Sequence, residues 1–215
     1  MHSCLDAAVF DFDGVLNRNY DSAGFFWSRR LEADHGVAAE DFARTFFDDS
    51  FADVLTGKID FKARLAALLP TLGCATPADR FMDYWFAKDL TPCAEALRIV
   101  GDLRLRGLRC VIGTNNERHR ADFLWENLLK DHADHMYAAG PMGVAKPDPR
   151  FFTTIREDLI QKGWGCTDPA RLLLVDDIEE NVAAARAAGW QAIHYGDYAT
   201  KTLGDPTELR AVLGL

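Results

Sequence analysis

The sequence predicts an α/β fold, a parallel sheet with helices on both faces and a small α-helical cap inserted into it. Two observations carry that prediction. Five short apolar runs, rich in Val, Leu and Ile and closed by polar residues, read as buried strands, and amphipathic stretches separate the last four. Strands that alternate with helices form parallel sheets covered on both faces. The second observation is the long aromatic-rich segment between the first run and the second.

The runs are residues 5–10, 108–113, 136–139, 172–175 and 191–195. Proline placement marks helix starts. Thr91-Pro92, Asp148-Pro149, Asp168-Pro169 and Asp205-Pro206 each put a capping side chain before a proline suited to the first helical position. Glu208, three residues after Asp205, can support that start by a capping-box contact. In Pro149–Gln161 the residues Phe151, Ile155 and Leu159 recur every four positions, so one face can be buried, and Gly163 ends the helix.

Between Asn17 and Leu90 lie 74 residues holding 13 of the 24 aromatics. A third of the chain with half of its rings has a core of its own. The expected division is residues 1–16 and 91–215 as the α/β core, with 17–90 as the cap. Rings in such numbers, Phe25, Phe26, Trp27, Phe42, Phe46, Phe47, Trp85 and Phe86 among them, read as packing and not as a ligand box. The cap's junctions near Asn17 and Leu90 are the expected hinges of a mobile lid. Its cations Arg18, Arg29, Arg30 and Lys58 can meet polar groups of a substrate, although most such cations are solvated.

Composition narrows the function classes. At 215 residues, 48% apolar and 27% charged, the chain can bury a core without staples and is not disordered. The net charge of −9 repels phosphate backbones, which argues against a nucleic-acid partner. No apolar run approaches the ~20 residues that span a bilayer, so no membrane partner is expected. The start, Met1-His2-Ser3-Cys4, lacks the basic flank of a signal peptide. Cys4, Cys74, Cys93, Cys110 and Cys166 are odd in number and scattered. That fits buried thiols in a reducing, cytoplasmic setting better than disulfides or a zinc cluster.

The chemistry lies where acids meet strand ends. The first strand runs into Asp11-Phe12-Asp13-Gly14-Val15, and in an extended segment Asp11 and Asp13 project to one side. The fourth runs into Asp176-Asp177. In a parallel sheet these ends share one edge, where ligands of open α/β folds collect. Two like charges about 4 Å apart repel by ~4 kcal/mol at an effective dielectric near 20, so some of the acids stay protonated or a hard cation joins them. Oxygen ligands without nearby Cys or His point to Mg²⁺. Asp13 or Asp177 alone would read as a turn or helix cap; two clusters at two strand ends do not.

Two more segments fit an anion beside that metal. Gly113-Thr114-Asn115-Asn116 precedes a helix beginning near Glu117, and free N–H groups with a hydroxyl make a phosphate cradle. Lys146 follows the third strand in a loop stiffened by Pro147 and Pro149, which can hold it at the sheet edge. His132 and His135 are spaced as neighbours on a helix but lack a third ligand, so they read as a solvated helix end.

In order, Asp11-Phe12-Asp13-Gly14-Val15, Thr114-Asn115, Lys146-Pro147 and Asp176-Asp177, with separations of 103, 32 and 30 residues from Asp11 onward, resemble the four motifs of the haloacid dehalogenase superfamily of phosphotransferases. The resemblance covers the whole chain and implies a Rossmann-like core. The long first gap is similar to that of members with a helical cap after the first strand. Gly113-Thr114-Asn115-Asn116 and the small cap look most like phosphatases of sugar phosphates.

The resemblance implies a Mg²⁺-dependent phosphatase acting on a small phosphorylated metabolite. Asp11 is the implied nucleophile and Asp13 the acid and base. Thr114 and the Asn115 N–H hold phosphoryl oxygens, and Lys146 stabilises the transferring charge. Asp11, the Asp13 carbonyl, Asp176, and Asp177 directly or through water, bind the metal. Gly14 is implied to let the backbone approach the phosphate. An aspartate at position 13 separates the chain from the family's dehalogenases, which lack it and use no Mg²⁺. At Asn181 many relatives carry glycine or aspartate, so Asp176 and Asp177 are the strong acidic ligands of that motif. A phosphomutase is the enzymatic alternative. A phosphoryl-accepting receiver orders its Asp, Thr and Lys differently, and a non-catalytic member would not keep all four motifs.

Overall fold

The structure, a computed structural model, describes residues 5–215. Cys4 and the reading of the N-terminal segment therefore lie outside the described residues. Five parallel strands form the central sheet: β1 (Ala7–Phe10), β2 (Arg109–Thr114), β3 (His135–Ala138), β4 (Leu172–Asp176) and β5 (Gln191–His194). Their order is β3-β2-β1-β4-β5. Phe10 lies opposite both Ile112 and Val175, so β1, β2 and β4 finish at the same edge.

The apolar runs are continuous because both faces are covered, and the pleat divides them. Ala8, Phe10, Cys110, Ile112, Leu173 and Val175 pack with Ile99 and Val100 of the helix Ala94–Leu105. Ala7, Val9, Val111, Leu172 and Leu174 pack on the other face with Phe151, Ile155 and Leu159 of the helix Pro149–Gln161. Asp148 caps that helix, accepting from the Arg150 N–H, with Pro149 in its first turn. Asp205 caps Pro206–Val212 in the same way.

Two predicted helix starts differ. The helix after Thr91-Pro92 begins only at Ala94, because Pro92 is drawn into a bridge with Asn17. Asp168-Pro169 starts no more than the single turn Pro169–Arg171. His132 ends the short helix Lys130–His132 and His135 opens β3, its ring 4.7 Å from that of Tyr137. The two are not helical neighbours.

The inserted segment comprises the short pairing of Tyr20–Asp21 with Gly24–Phe25, the helices Ala39–Phe46, Phe51–Leu55, Phe61–Leu68 and Ala78–Asp89, and shorter turns. Trp27, Phe42, Phe46, Phe81 and Trp85 form its apolar centre; Trp27 and Trp85 stack at 4.1 Å. The chain enters and leaves through a clasp. The Cys93 N–H donates to the Leu16 carbonyl and the Arg18 N–H to that of Thr91, each at 2.8 Å. The Asn17 amide donates to the Asp89 carbonyl at 2.8 Å and accepts from the Thr91 N–H at 2.6 Å. Cys74, Cys93, Cys110 and Cys166 are buried free thiols. No helix among the described residues is long and apolar enough to cross a membrane.

Candidate active site

The common edge of β1, β2 and β4 gathers the acids. Asp11 follows β1 directly, Asp176 ends β4 and Asp177 comes next. All three are buried, and one ligand oxygen of each lies within 4.8 Å of the others. Lys146 is buried among them. Its Nζ lies 2.6 Å from Asp176 Oδ2 and 3.1 Å from Asp11 Oδ2. With all four ionised, three negative charges face one positive charge among buried side chains. Burial pushes Asp11 well above the usual carboxylate range; Lys146 pulls it back, while Asp176, Asp177 and Asp13 push it further up. Burial likewise pushes Asp177 up to about 6. Lys146 stays charged, since Asp11 and Asp176 outweigh its own burial.

Each acid is aimed by its neighbours. Asp11 Oδ1 accepts from the Phe12 N–H at 2.7 Å. Asp176 Oδ1 accepts from the Ile178 N–H and from the Asn181 side-chain amide, at 3.0 and 2.9 Å, which turns Oδ2 toward Lys146. Asn181 thus helps to fix the carboxylate orientation. Asp177 Oδ2 accepts from the Tyr20 hydroxyl at 2.6 Å, a tie from the inserted segment into the acid cluster. Gly14 has φ +78°, and a Cβ there would lie 1.9 Å from Asp177 Oδ2. Glycine at 14 makes room for Asp177.

Thr114 is buried at the end of β2, its hydroxyl accepting from the Asn116 amide at 2.7 Å. The Asn115 side chain clips the next loop in place: its Nδ2 donates to the Lys146 carbonyl at 2.8 Å and its Oδ1 accepts from the Lys146 N–H at 2.9 Å. That clip positions the lysine; the Lys146-Pro147 bond that follows is cis.

Asp13 belongs to a second cluster that the sequence did not reveal. Arg120 grips it with both terminal nitrogens, at 2.6 and 2.8 Å, and reaches Asp89 Oδ2 at 2.5 Å. Asn17, Asn19 and Asn116 also donate to Asp13. Burial raises Asp13, but Arg120 with the Asn17 and Asn116 amides outweighs it and holds the carboxyl below its usual range. Asp89, buried beside the same guanidinium, is pushed up to about 6. Arg120 stands in the helix Arg118–Leu124, which Glu117 caps by accepting from the N–H groups of His119 and Arg120. Its only sequence signal is a position one turn beyond Thr114-Asn115.

Above these clusters is a cavity of about 550 Å³, lined by Asp11, Asp13, Thr114, Asn115 and Asp177 below and by rings of the inserted segment above. The aromatics therefore do more than pack: Phe25, Trp27, Phe47, Trp85 and Phe86 reach the cavity as well. The predicted cations do not. Arg29, Arg30 and Lys58 pair with Asp21, Asp34 and Asp53, and Arg18 donates to the Gly204 carbonyl.

The sequence profile described as haloacid dehalogenase-like hydrolase matches residues 5–189. The chain belongs to this family. One similar protein is Phosphatase MT3486 of Mycobacterium tuberculosis, 30% identical over 202 residues that cover 87% of this chain and 86% of the relative. A sesquiterpene phosphatase of Aspergillus oryzae is 24% identical over 220 residues, the full length of both. In fold, the chain is similar to a HAD family enzyme of Bacteroides thetaiotaomicron crystallised with magnesium and inorganic phosphate. The TM-score is 0.72 at 19% identity, over 90% of this chain and 96% of that one.

Proposed function

We propose that this hydrolase is a Mg²⁺-dependent phosphatase that cleaves a small phosphorylated metabolite through an aspartyl-phosphate on Asp11. The observation that carries the reading is the buried set of Asp11, Asp176 and Asp177 with Lys146 as the one cation against them among the described residues. Two negative charges are left over, which a divalent cation matches. An all-oxygen donor set suits Mg²⁺. Asp11, Asp176, Asp177 and the Asp13 carbonyl would hold it, and when bound it supplies the positive charge that admits a phosphate dianion.

In the chemical step an Asp11 carboxylate oxygen attacks phosphorus and the ester oxygen leaves. Lys146, already paired with Asp11, balances the charge carried by the transferring group. Thr114 and the Asn115 N–H bind its oxygens, next to the end of β2. Asp13 is the proton carrier: it supplies the leaving alcohol and later takes the proton of the water that frees Asp11. Its grip by Arg120 favours the ionised form. Hydrolysis of the intermediate therefore finds its base ready, whereas departure of a poor leaving group requires Asp13 to be protonated first.

The narrower reading, a sugar phosphate, rests on the likeness of the Gly113-Thr114-Asn115-Asn116 motif and of the small inserted segment. The reading as a phosphatase is tested by release of inorganic phosphate from p-nitrophenyl phosphate with Mg²⁺, with EDTA, and in Asp11→Asn. Turnover is expected only in the first case. Chelator-resistant hydrolysis, or activity retained in the variant, would overturn it.

A further inference from the structure

The cavity's two halves differ in chemistry. The lower half carries the carboxylates, Thr114 and Asn115. The upper half is built from Trp27, Phe47, Phe51, Leu55, Phe61 and Trp85 of the inserted segment. Apart from indole N–H groups, those walls offer nothing that could replace water around a hydroxyl. Most polar groups at the junction are already engaged: Tyr20 with Asp177, the Asn19 amide N–H groups with Asp13 and Asp89, and Asp89 with Arg120, which leaves Asn19 Oδ1 as an unpaired acceptor at the floor of the cavity. A sugar seated among these rings would lose hydration with little compensation, at a cost for each hydroxyl left unpaired. Hydrocarbon would gain by leaving water.

A second feature agrees. Phe47 is 43% exposed although it stands against Phe46 and Trp85. This half-exposed ring is part of the cavity wall, so apolar surface there is open to a ligand. At about 550 Å³ the space lies within the ~300–1,000 Å³ that holds small organic ligands.

Building on the phosphatase reading above, we propose that the substrate is the phosphate monoester of an apolar alcohol, whose hydrocarbon occupies the aromatic half of the cavity while its phosphate meets Asp11. Specificity then lies in the ring-lined walls and not in Arg29, Arg30 and Lys58, which stand in exposed ion pairs.

The test is a series of n-alkyl phosphates from propyl to octyl, assayed with Mg²⁺ beside glucose 6-phosphate and acetyl phosphate. The leaving-group chemistry is constant along the alkyl series, so chain length reads burial alone. Each methylene is expected to raise kcat/KM roughly fourfold, the factor that corresponds to ~0.8 kcal/mol per buried CH₂, until the cavity is full. Octyl phosphate should exceed glucose 6-phosphate by about 10²-fold or more. A flat series, or preference for the sugar phosphate, would overturn the proposal. Acetyl phosphate, too small to use the walls, separates the two claims: its Asp11-dependent hydrolysis alongside a flat alkyl series refutes the apolar substrate and leaves the phosphatase standing. Calorimetric binding of octylphosphonate against methylphosphonate probes the same walls without turnover; tighter binding of the octyl compound is expected, and equal affinities would refute the proposal. Leu55→Asp, which puts a charge into the wall, should flatten the alkyl dependence.

Discussion

Asp177→Asn should make the metal-free protein more stable at neutral pH while impairing it as an enzyme. Asp177 is buried, and its carboxyl is pushed to about 6 from an ordinary value of 3.8 by burial and by Asp176. The folded protein thus holds this proton more tightly than the unfolded chain does. Stability falls as pH rises from about 4 to about 6 and levels off above that. A displacement of about 2 pH units corresponds to ~3 kcal/mol at pH 7 and to less than ~1 kcal/mol at pH 4. Asparagine keeps a hydrogen bond for the Tyr20 hydroxyl and carries no charge. Thermal unfolding of both proteins in EDTA should show the variant melting ~6–10 °C higher at pH 7 and nearly alike at pH 4. Saturating Mg²⁺ should raise the wild type more than the variant. Equal melting at pH 7 in EDTA would refute the view that Asp177 is a carboxylate short of a positive partner.

Other outcomes rest on the same contacts. Arg120→Gln should lower kcat by about 10² and move the acid limb of its pH profile upward, because Asp13 loses the cation that keeps it ionised; an unmoved limb would show that Arg120 does not act on Asp13. Asp13→Asn should cost ~10²–10⁴ in rate, measured by phosphate release. Gly14→Ala should weaken Mg²⁺ binding in a titration, since its Cβ would need the space held by Asp177 Oδ2. Phe42→Ala should destabilise the protein by ~3–5 kcal/mol in denaturant unfolding, because that ring is fully buried against Trp27, Phe46, Phe81 and Trp85.

The acids at strand ends were legible because their position is set by local rules. A buried parallel strand is a short apolar run, and the residues just after it lie at the ligand edge. Asp11 and Asp176 could therefore be placed together across 165 residues, and Lys146 with them. The Arg120 cluster was not legible, because it depends on where the inserted segment returns: Asp89 and Asn19 meet Asp13 and Arg120 only after the clasp at Asn17 has closed. The rings divide in the same way. Their number announced a separate apolar centre, and Phe42, Phe46 and Phe81 form it. Which rings turn toward the cavity is decided by helix orientation, which spacing alone does not encode. The helix expected at Pro92 moved to Ala94 for a related reason, a long-range bridge to Asn17 taking precedence over a local start signal.

Mapping the phosphorylated residue in acid-quenched, pre-steady-state reactions tests the mechanism most directly. With Mg²⁺ and substrate, peptide mass spectrometry should find a transient phosphoryl adduct on Asp11, absent in Asp11→Asn and in EDTA. Turnover at full rate with the adduct on another residue, or with none when formation outpaces breakdown, would contradict nucleophilic attack by Asp11.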